Sequence, residues 1–397
     1  YDKNHDTKEY FHCDVSVKLK GEEYTVTDAG VRLKGNTSRR RPENGNGKHV
    51  TDHADWQHCH FQLNFRKYNK DEEHTIRGVR KMYLKWFKDD AAYCREIFSY
   101  DLFRRFGVWT AIKNCYCRLW IHVEGDKEPA YFGVYEMNET IDDTFLKMRK
   151  EQFGSHKGNL WKCNYGASLN YDRDKNASMG ESDGNSDPVY EVEEINSDLS
   201  TAKSQLLDFM KNLRDLKGQQ LHDWLGEAID INLFLRTYAV NVAVGMWDDM
   251  WNNGNNYYLY FNSTDLHDYK VFLIPYDYDN SLGTANGYDS AKQDPYNWGD
   301  KGILIERMME YEEFRNIYRD ELKRLVNPTY GLMNQAAATQ RILDWQAKIK
   351  NYVSNDTDED MEIKDRPASW GRVGDYRLMS TSNNYFTVKA ETINKMQ

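Results

Sequence analysis

The sequence predicts an α+β protein with a strand-rich front, a helix-rich back and a cleft between the two. Three observations carry that reading. Short segments in the first 140 positions, Val15 to Leu19 and Phe61 to Phe65 among them, alternate apolar with polar residues, the strand period. From Thr201 onwards the spacing turns helical. Between the two lies a polar, Gly-, Ser- and Asp-bearing stretch that separates a strand-rich lobe (residues 1–165) from a helical lobe (200–397). That stretch, 166–199, reads as a loop or linker.

In chain order, Val15, Val17 and Leu19 alternate with Asp14, Ser16 and Lys18, the mark of a half-buried strand. Val31-Arg32-Leu33 then runs into a polar turn from Lys34 and Gly35 through Arg39, Arg40 and Arg41. Residues 42–58, rich in Gly, Asn and His, read as an exposed loop, and Phe61, Leu63 and Phe65 resume the alternation. Between Asp89 and Phe106 the period changes: Ile97, Tyr100, Leu102, Phe103 and Phe106 share a helix face, which Gly107 can end. Residues 115–123 and 130–137 are the next strands. Leu206, Leu207, Met210 and Leu213 form a helical stripe, and 231–244 is a more apolar helix. Short strands at 257–261 and 269–274 follow. Residues 303–326 predict one long amphipathic helix stopped by Pro328, 342–353 predict another, and 356–362 an acidic solvated loop.

The 397 residues suffice for a large buried core. A net charge of −10 disfavours non-specific nucleic-acid binding as a general role, though a local basic segment can still hold phosphate. No apolar run reaches membrane-spanning length. Cys115 and Cys117 fall on one face of a strand and read as core thiols ahead of a redox pair.

The strongest chemical signal follows the strand ending in Ile274. Asp277 and Asp279 stand two residues apart, so in an extended chain both carboxylates point to one side. Adjacent carboxylates repel unless a cation or proton sits between them; magnesium, with phosphate oxygens and water, would resolve the conflict. A plain turn with solvated aspartates is the alternative. The second signal lies upstream, where a helix ends in Trp247-Asp248-Asp249 and four asparagines precede the strand at Tyr257. Asp248 can accept a proton from a hydroxyl, and an Asn carbonyl can complete a metal shell. Protein kinases divide the work that way. A polar cap and hairpin is the alternative here.

In this order the motifs resemble the CotH, or spore coat protein H, family of atypical kinases. The resemblance runs from Val31-Arg32-Leu33-Lys34-Gly35-Asn36-Thr37-Ser38 through Phe61-Gln62-Leu63-Asn64-Phe65 and Arg95-Glu96. It continues in Tyr131-Phe132-Gly133-Val134-Tyr135-Glu136, Gly158-Asn159-Leu160-Trp161-Lys162, Trp247-Asp248, Asn256-Tyr257-Tyr258-Leu259-Tyr260 and Pro275-Tyr276-Asp277-Tyr278-Asp279. It implies a bilobal protein-kinase-like fold, bound ATP with Mg2+ or Mn2+, and phosphoryl transfer to protein Ser or Thr. It also implies a secreted, cell-surface or spore-coat location. By carry-over, Asp248 is the catalytic aspartate, and Asp277 the chief metal ligand with Asp279 and Asn256 beside it. Lys34, with Gly35 in the phosphate turn, and Lys162 are the candidate phosphate cations, and Glu96 is a candidate partner for the lysine. The chain departs from kinases in having no Gly-x-Gly-x-x-Gly run and no His-Arg-Asp triplet, and the Asp248-Asp249 doublet leaves the register open by one residue. An adhesion or carbohydrate-contact module on the same fold and an adenylyl transferase are the competing functions.

Overall fold

The computed structural model describes residues 8–36, 38–43, 48–182, 186–285, 287–357, 359, 361–367 and 373–397. Thr37 of the polar turn, and parts of the 42–58, 166–199 and 356–362 loops, lie outside the described residues. The chain groups into two units, one of residues 1–93, 113–145 and 345–364, the other of 94–112, 146–344 and 365–397.

In the first unit the expected strand segments become β1 (Phe11–Leu19), β2 (Glu22–Lys34), β3 (His60–Asn64), β5 (Asn114–Ile121) and β6 (Ala130–Glu139), and β4 (Lys81–Lys85) is a strand that the sequence reading missed. They form one antiparallel sheet in the order β1-β2-β3-β4-β6-β5. β1 alternates half-buried and exposed residues along its whole length, as its period of two requires. Trp56, Phe61, Leu63, Leu84, Phe132 and Tyr135 pack in the core of this unit.

The second sheet, in the second unit, comprises β7 (Asn159–Cys163), β8 (Met179–Gly180), β9 (Tyr190–Glu194), β10 (Tyr257–Phe261) and β11 (Val271–Pro275), in the order β11-β10-β7-β9-β8. β8 and β9 run parallel; the other pairs are antiparallel. β10 is an interior strand, between β11 and β7, and all five of its residues are buried. A strand covered on both faces needs apolar or aromatic side chains at every position, which Tyr-Tyr-Leu-Tyr-Phe supplies.

The helices are α1 (Arg95–Arg105), α2 (Asp143–Met148), α3 (Lys150–Phe153), α4 (Tyr171–Asp174), α5 (Leu199–Asp215), α6 (Gly218–Ala228), α7 (Ile231–Ala243), α8 (Ile303–Met308), α9 (Glu312–Leu325), α10 (Gln335–Ile349) and α11 (Tyr385–Asn394). Asp230 caps α7 by accepting from the Leu233 N–H at 3.0 Å. From Leu233 almost every residue of α7 is buried, so it is an interior helix of its unit. A strand-rich N-terminal sheet followed by helices agrees with the expected α+β class.

Four local expectations need correction. The long helix over 303–326 is two helices, α8 and α9. Tyr311 adopts an extended backbone (φ −100, ψ 127), its hydroxyl donates to the Gly218 carbonyl at 2.7 Å, and Arg315 occupies the Met309 carbonyl at 2.6 Å. These tertiary bonds break a helix that contains no Gly or Pro. The polar stretch 166–199 carries α4, β8 and β9; three glutamates in Tyr190–Glu194 hide the strand period. The helix expected between Asp89 and Phe106 starts at Arg95. Cys115 is exposed on edge strand β5, so the core-thiol reading fails for it.

Candidate active site

The antiparallel register of β10 and β11 pairs Tyr257 with Pro275, so Asn256 and Tyr276 leave the sheet at the same end. Residues 244–256 connect α7 to β10 and carry Asp248. Its Oδ1 accepts from Asn253 Nδ2 at 2.7 Å and Asn255 Nδ2 at 3.1 Å, and its Oδ2 accepts from Asn256 Nδ2 at 3.0 Å. Asn256 also donates to the Asp248 carbonyl at 2.9 Å. With its Nδ2 committed to Asp248, the atom Asn256 can offer a cation is Oδ1. Gly254 has φ 57, and a Cβ there would stand 2.8 Å from the Ala167 carbonyl oxygen, so the loop requires glycine at that point.

The two adjacent aspartates have different surroundings. Asp249 is buried; it accepts from Asn241 Nδ2 and from the N–H and Nδ2 of Asn252 at 2.8 and 3.0 Å. Burial pushes its carboxyl up to about 6, against the pull of these bonds. Asp248 is half-buried. Burial raises its pKa, the Asn253 and Asn255 hydrogen bonds oppose that, and the charge of Asp277 raises it further. Asp277 is thus an electrostatic neighbour of Asp248.

The turn after β11 is fastened to two helices. The Asp277 N–H donates to the Tyr100 hydroxyl of α1 at 2.9 Å, and the Tyr278 hydroxyl donates to Asn241 Oδ1 of α7 at 2.8 Å. Tyr278 also packs edge-on against Phe103 of α1, centroids 4.8 Å apart. Asp277 has φ 60, a left-handed conformation that Asp tolerates better than most residues. Glu96 lies four residues before Tyr100, on the same helix face. The outcome is a group of three acids: carboxylate oxygens of Glu96, Asp277 and Asp279 all lie within 4.8 Å of one another. At that separation two unit charges repel by about 3–4 kcal/mol at an effective dielectric of 20. Oxygen-only donors suit hard divalent cations such as Mg2+, Mn2+ or Ca2+. The donor set therefore fits the divalent metal expected of the sequence.

Lys162 stands in β7 opposite Tyr258 of β10, which packs edge-on against Tyr276 at 5.2 Å. Its Nζ meets Glu191 of β9 at 3.2 Å. Burial alone would lower the ammonium, but the charges of Glu191, Glu193 and Asp187 together with the Glu191 hydrogen bond outweigh it and raise the pKa. Lys162 is a half-buried, paired cation. Lys34 and Gly35 belong to the first unit. There the Lys34 ammonium lies over the Tyr83 ring, 4.0 Å from its centroid, and Gly35, at φ 108, accepts from Arg39 Nε at 3.0 Å.

Glu96, Asp277 and Asp279 are thus brought together, Asp248 is tied to Asn256, and Lys162 to Glu191. The acidic partner of Lys162 went unrecognised in the sequence, as did the contribution of Glu96 to the acid group. The only signals were an acid-rich run ending at Glu194 and the i, i+4 spacing of Glu96 and Tyr100.

Fold and site first define a class: a mixed α/β protein whose loop aspartate, held by asparagines, is an electrostatic neighbour of a group of three carboxylates. The family follows from comparison. The model of the CotH kinase protein family matches residues 31–388, nearly the whole chain, and this protein belongs to that family. No curated protein matches it. Among the described residues no helix is long and apolar enough to cross a membrane.

Proposed function

We propose that this protein transfers the terminal phosphoryl group of ATP to Ser or Thr hydroxyls of a protein substrate, with a divalent metal. The observation that carries the proposal is the three-carboxylate group of Glu96, Asp277 and Asp279, with Asp277 an electrostatic neighbour of Asp248.

Glu96, Asp277 and Asp279, with the Asn256 carbonyl, would hold the metal. When bound, the metal neutralises phosphate charge and fixes the nucleotide. Three asparagine amides orient the Asp248 carboxylate, and its raised pKa makes it a better acceptor for the proton of an incoming hydroxyl. Asp249, bonded to Asn241 and Asn252, holds the loop so that Asp248 keeps this orientation. Lys162, kept charged by Glu191, supplies fixed positive charge on the same sheet. A secreted, surface or spore-coat location goes with this reading, supported by family membership alone.

The test is incubation of the protein and Ser-rich peptides with ATP and magnesium or manganese, read by mass spectrometry. A phosphate-sized gain that disappears in Asp248→Asn and Asp277→Ala is expected. An adenylyl-sized gain would replace the transferred group, and absence of nucleotide binding would leave an adhesion module in its place.

A further inference from the structure

The segment that delivers Asp248 is clamped at successive positions. At its start, the Ala243 carbonyl accepts from the Tyr385 hydroxyl of α11 at 3.1 Å. The Val244 carbonyl accepts from the Leu282 N–H at 2.7 Å. The Met246 carbonyl accepts from Trp298 Nε1 at 2.9 Å, and Trp247 Nε1 donates to Thr284 Oγ1 at 3.1 Å. Gly245, at φ 70, lies so close under α11 that a Cβ would collide with the Tyr385 hydroxyl.

Behind this clamp stands one charged side chain. Lys389 of α11 is fully buried; its Nζ donates to the Ser290 carbonyl at 3.0 Å and lies 4.3 Å from the centroid of the Trp298 ring. Ser290 Oγ donates in turn to the Thr284 carbonyl at 3.1 Å. The amine therefore contacts both arms that hold the loop, the Trp298 arm to Met246 and the Ser290–Thr284 arm to Trp247. α11 also reaches α1, where Phe386 packs on Phe98 at 5.2 Å, two residues from Glu96. Burial pulls the Lys389 amine down to about 7 against the charge of Asp289. A buried amine costs stability that a methionine of similar volume would not. Retaining it here is explained by what it holds.

We infer that Lys389 is a positioning residue for the Asp248 loop, acting from the C-terminal helix through Trp298 and Ser290. The inference rests on the phosphoryl-transfer reading for its effect on turnover, but its geometry can be tested without it. Lys389→Met and Lys389→Gln each remove the ammonium and preserve most of the side-chain volume. Trp298→Phe removes the donor to the Met246 carbonyl and keeps a ring.

In the full chain without nucleotide, hydrogen exchange at residues 245–249 is expected to quicken at least about tenfold in all three variants, with β10 and β11 unchanged. Turnover should fall about tenfold to a hundredfold at unchanged KM for ATP, the scale on which small misplacements act. Unaltered exchange at 245–249 in a folded Lys389 variant overturns the inference, whatever the activity. Failure of both Lys389 variants to fold overturns it too, because Lys389 would then support the whole unit. A wild-type protein with no transfer activity defeats the functional reading instead, and the exchange result still decides the role of Lys389.

Discussion

Replacing Asp249 with alanine separates the two adjacent aspartates. The carboxyl of Asp249 is buried and stands at about 6 against an ordinary 3.8, a difference of about 3 kcal/mol between its protonation states. The folded protein binds a proton here more tightly than the unfolded chain does. Stability from this group is therefore gained on acidification and lost as pH rises through about 6. Between pH 7 and pH 5 wild type should gain about 1.3 kcal/mol from Asp249, and the alanine variant nothing.

The variant also strands Asn241 Nδ2 and the two Asn252 donors; Asn241 is buried, so the loss at pH 7 is on the order of 1–3 kcal/mol. Urea unfolding of both proteins at pH 7 and pH 5 measures this, and other titrating groups cancel in the difference. The wild-type advantage should be larger at pH 5. An advantage that is flat, or that shrinks on acidification, would mean that Asp249 is not the buried acid, and the choice of Asp248 for the hydroxyl would lose its basis.

Further outcomes follow from the same contacts. Glu96→Gln should weaken manganese binding in calorimetry about tenfold to a hundredfold while folding is kept; unchanged affinity would remove Glu96 from the metal group. Lys162→Met should cost about 3 kcal/mol or more, because it leaves the buried Glu191 without its cation, and adding Glu191→Gln should recover part of that in a double-mutant cycle. For Lys389, whose folded pKa of about 7 lies below the unfolded 10.5, the unfolded chain binds more protons in that window and stability rises with pH. Wild type should gain about 2 kcal/mol between pH 7 and pH 9 that Lys389→Met does not, as read by urea unfolding.

Much of the scaffold was legible because its signals are local. β10 is a run of five apolar or aromatic residues, and α7 starts at its capping Asp230 and is apolar nearly all round, so both lie where the pattern placed them. The Asp248 loop and the turn after β11 were visible as Asp- and Asn-bearing segments between such elements. What the pattern could not show depends on contacts far apart in sequence. Glu96 joins Asp277 through α1, whose Tyr100 hydroxyl meets the Asp277 N–H across 177 residues of chain. Glu191 sits in an acidic run whose charges disguise a strand, and only the β7–β9 register reveals Lys162 opposite it. The break between α8 and α9 comes from side chains that bond to carbonyls, and no breaker residue marks it. The packing of Lys389 against Trp298 is a tertiary fact that no local pattern marks.

The most direct test of the central claim compares wild type, Asp248→Asn and Asp277→Ala, each incubated with ATP and manganese and analysed by intact-mass spectrometry with a Ser-rich acceptor. Transfer of a phosphate-sized mass by wild type is expected, reduced at least about a hundredfold in Asp248→Asn and abolished in Asp277→Ala. Equal transfer by wild type and Asp248→Asn, with both proteins folded, would contradict the account.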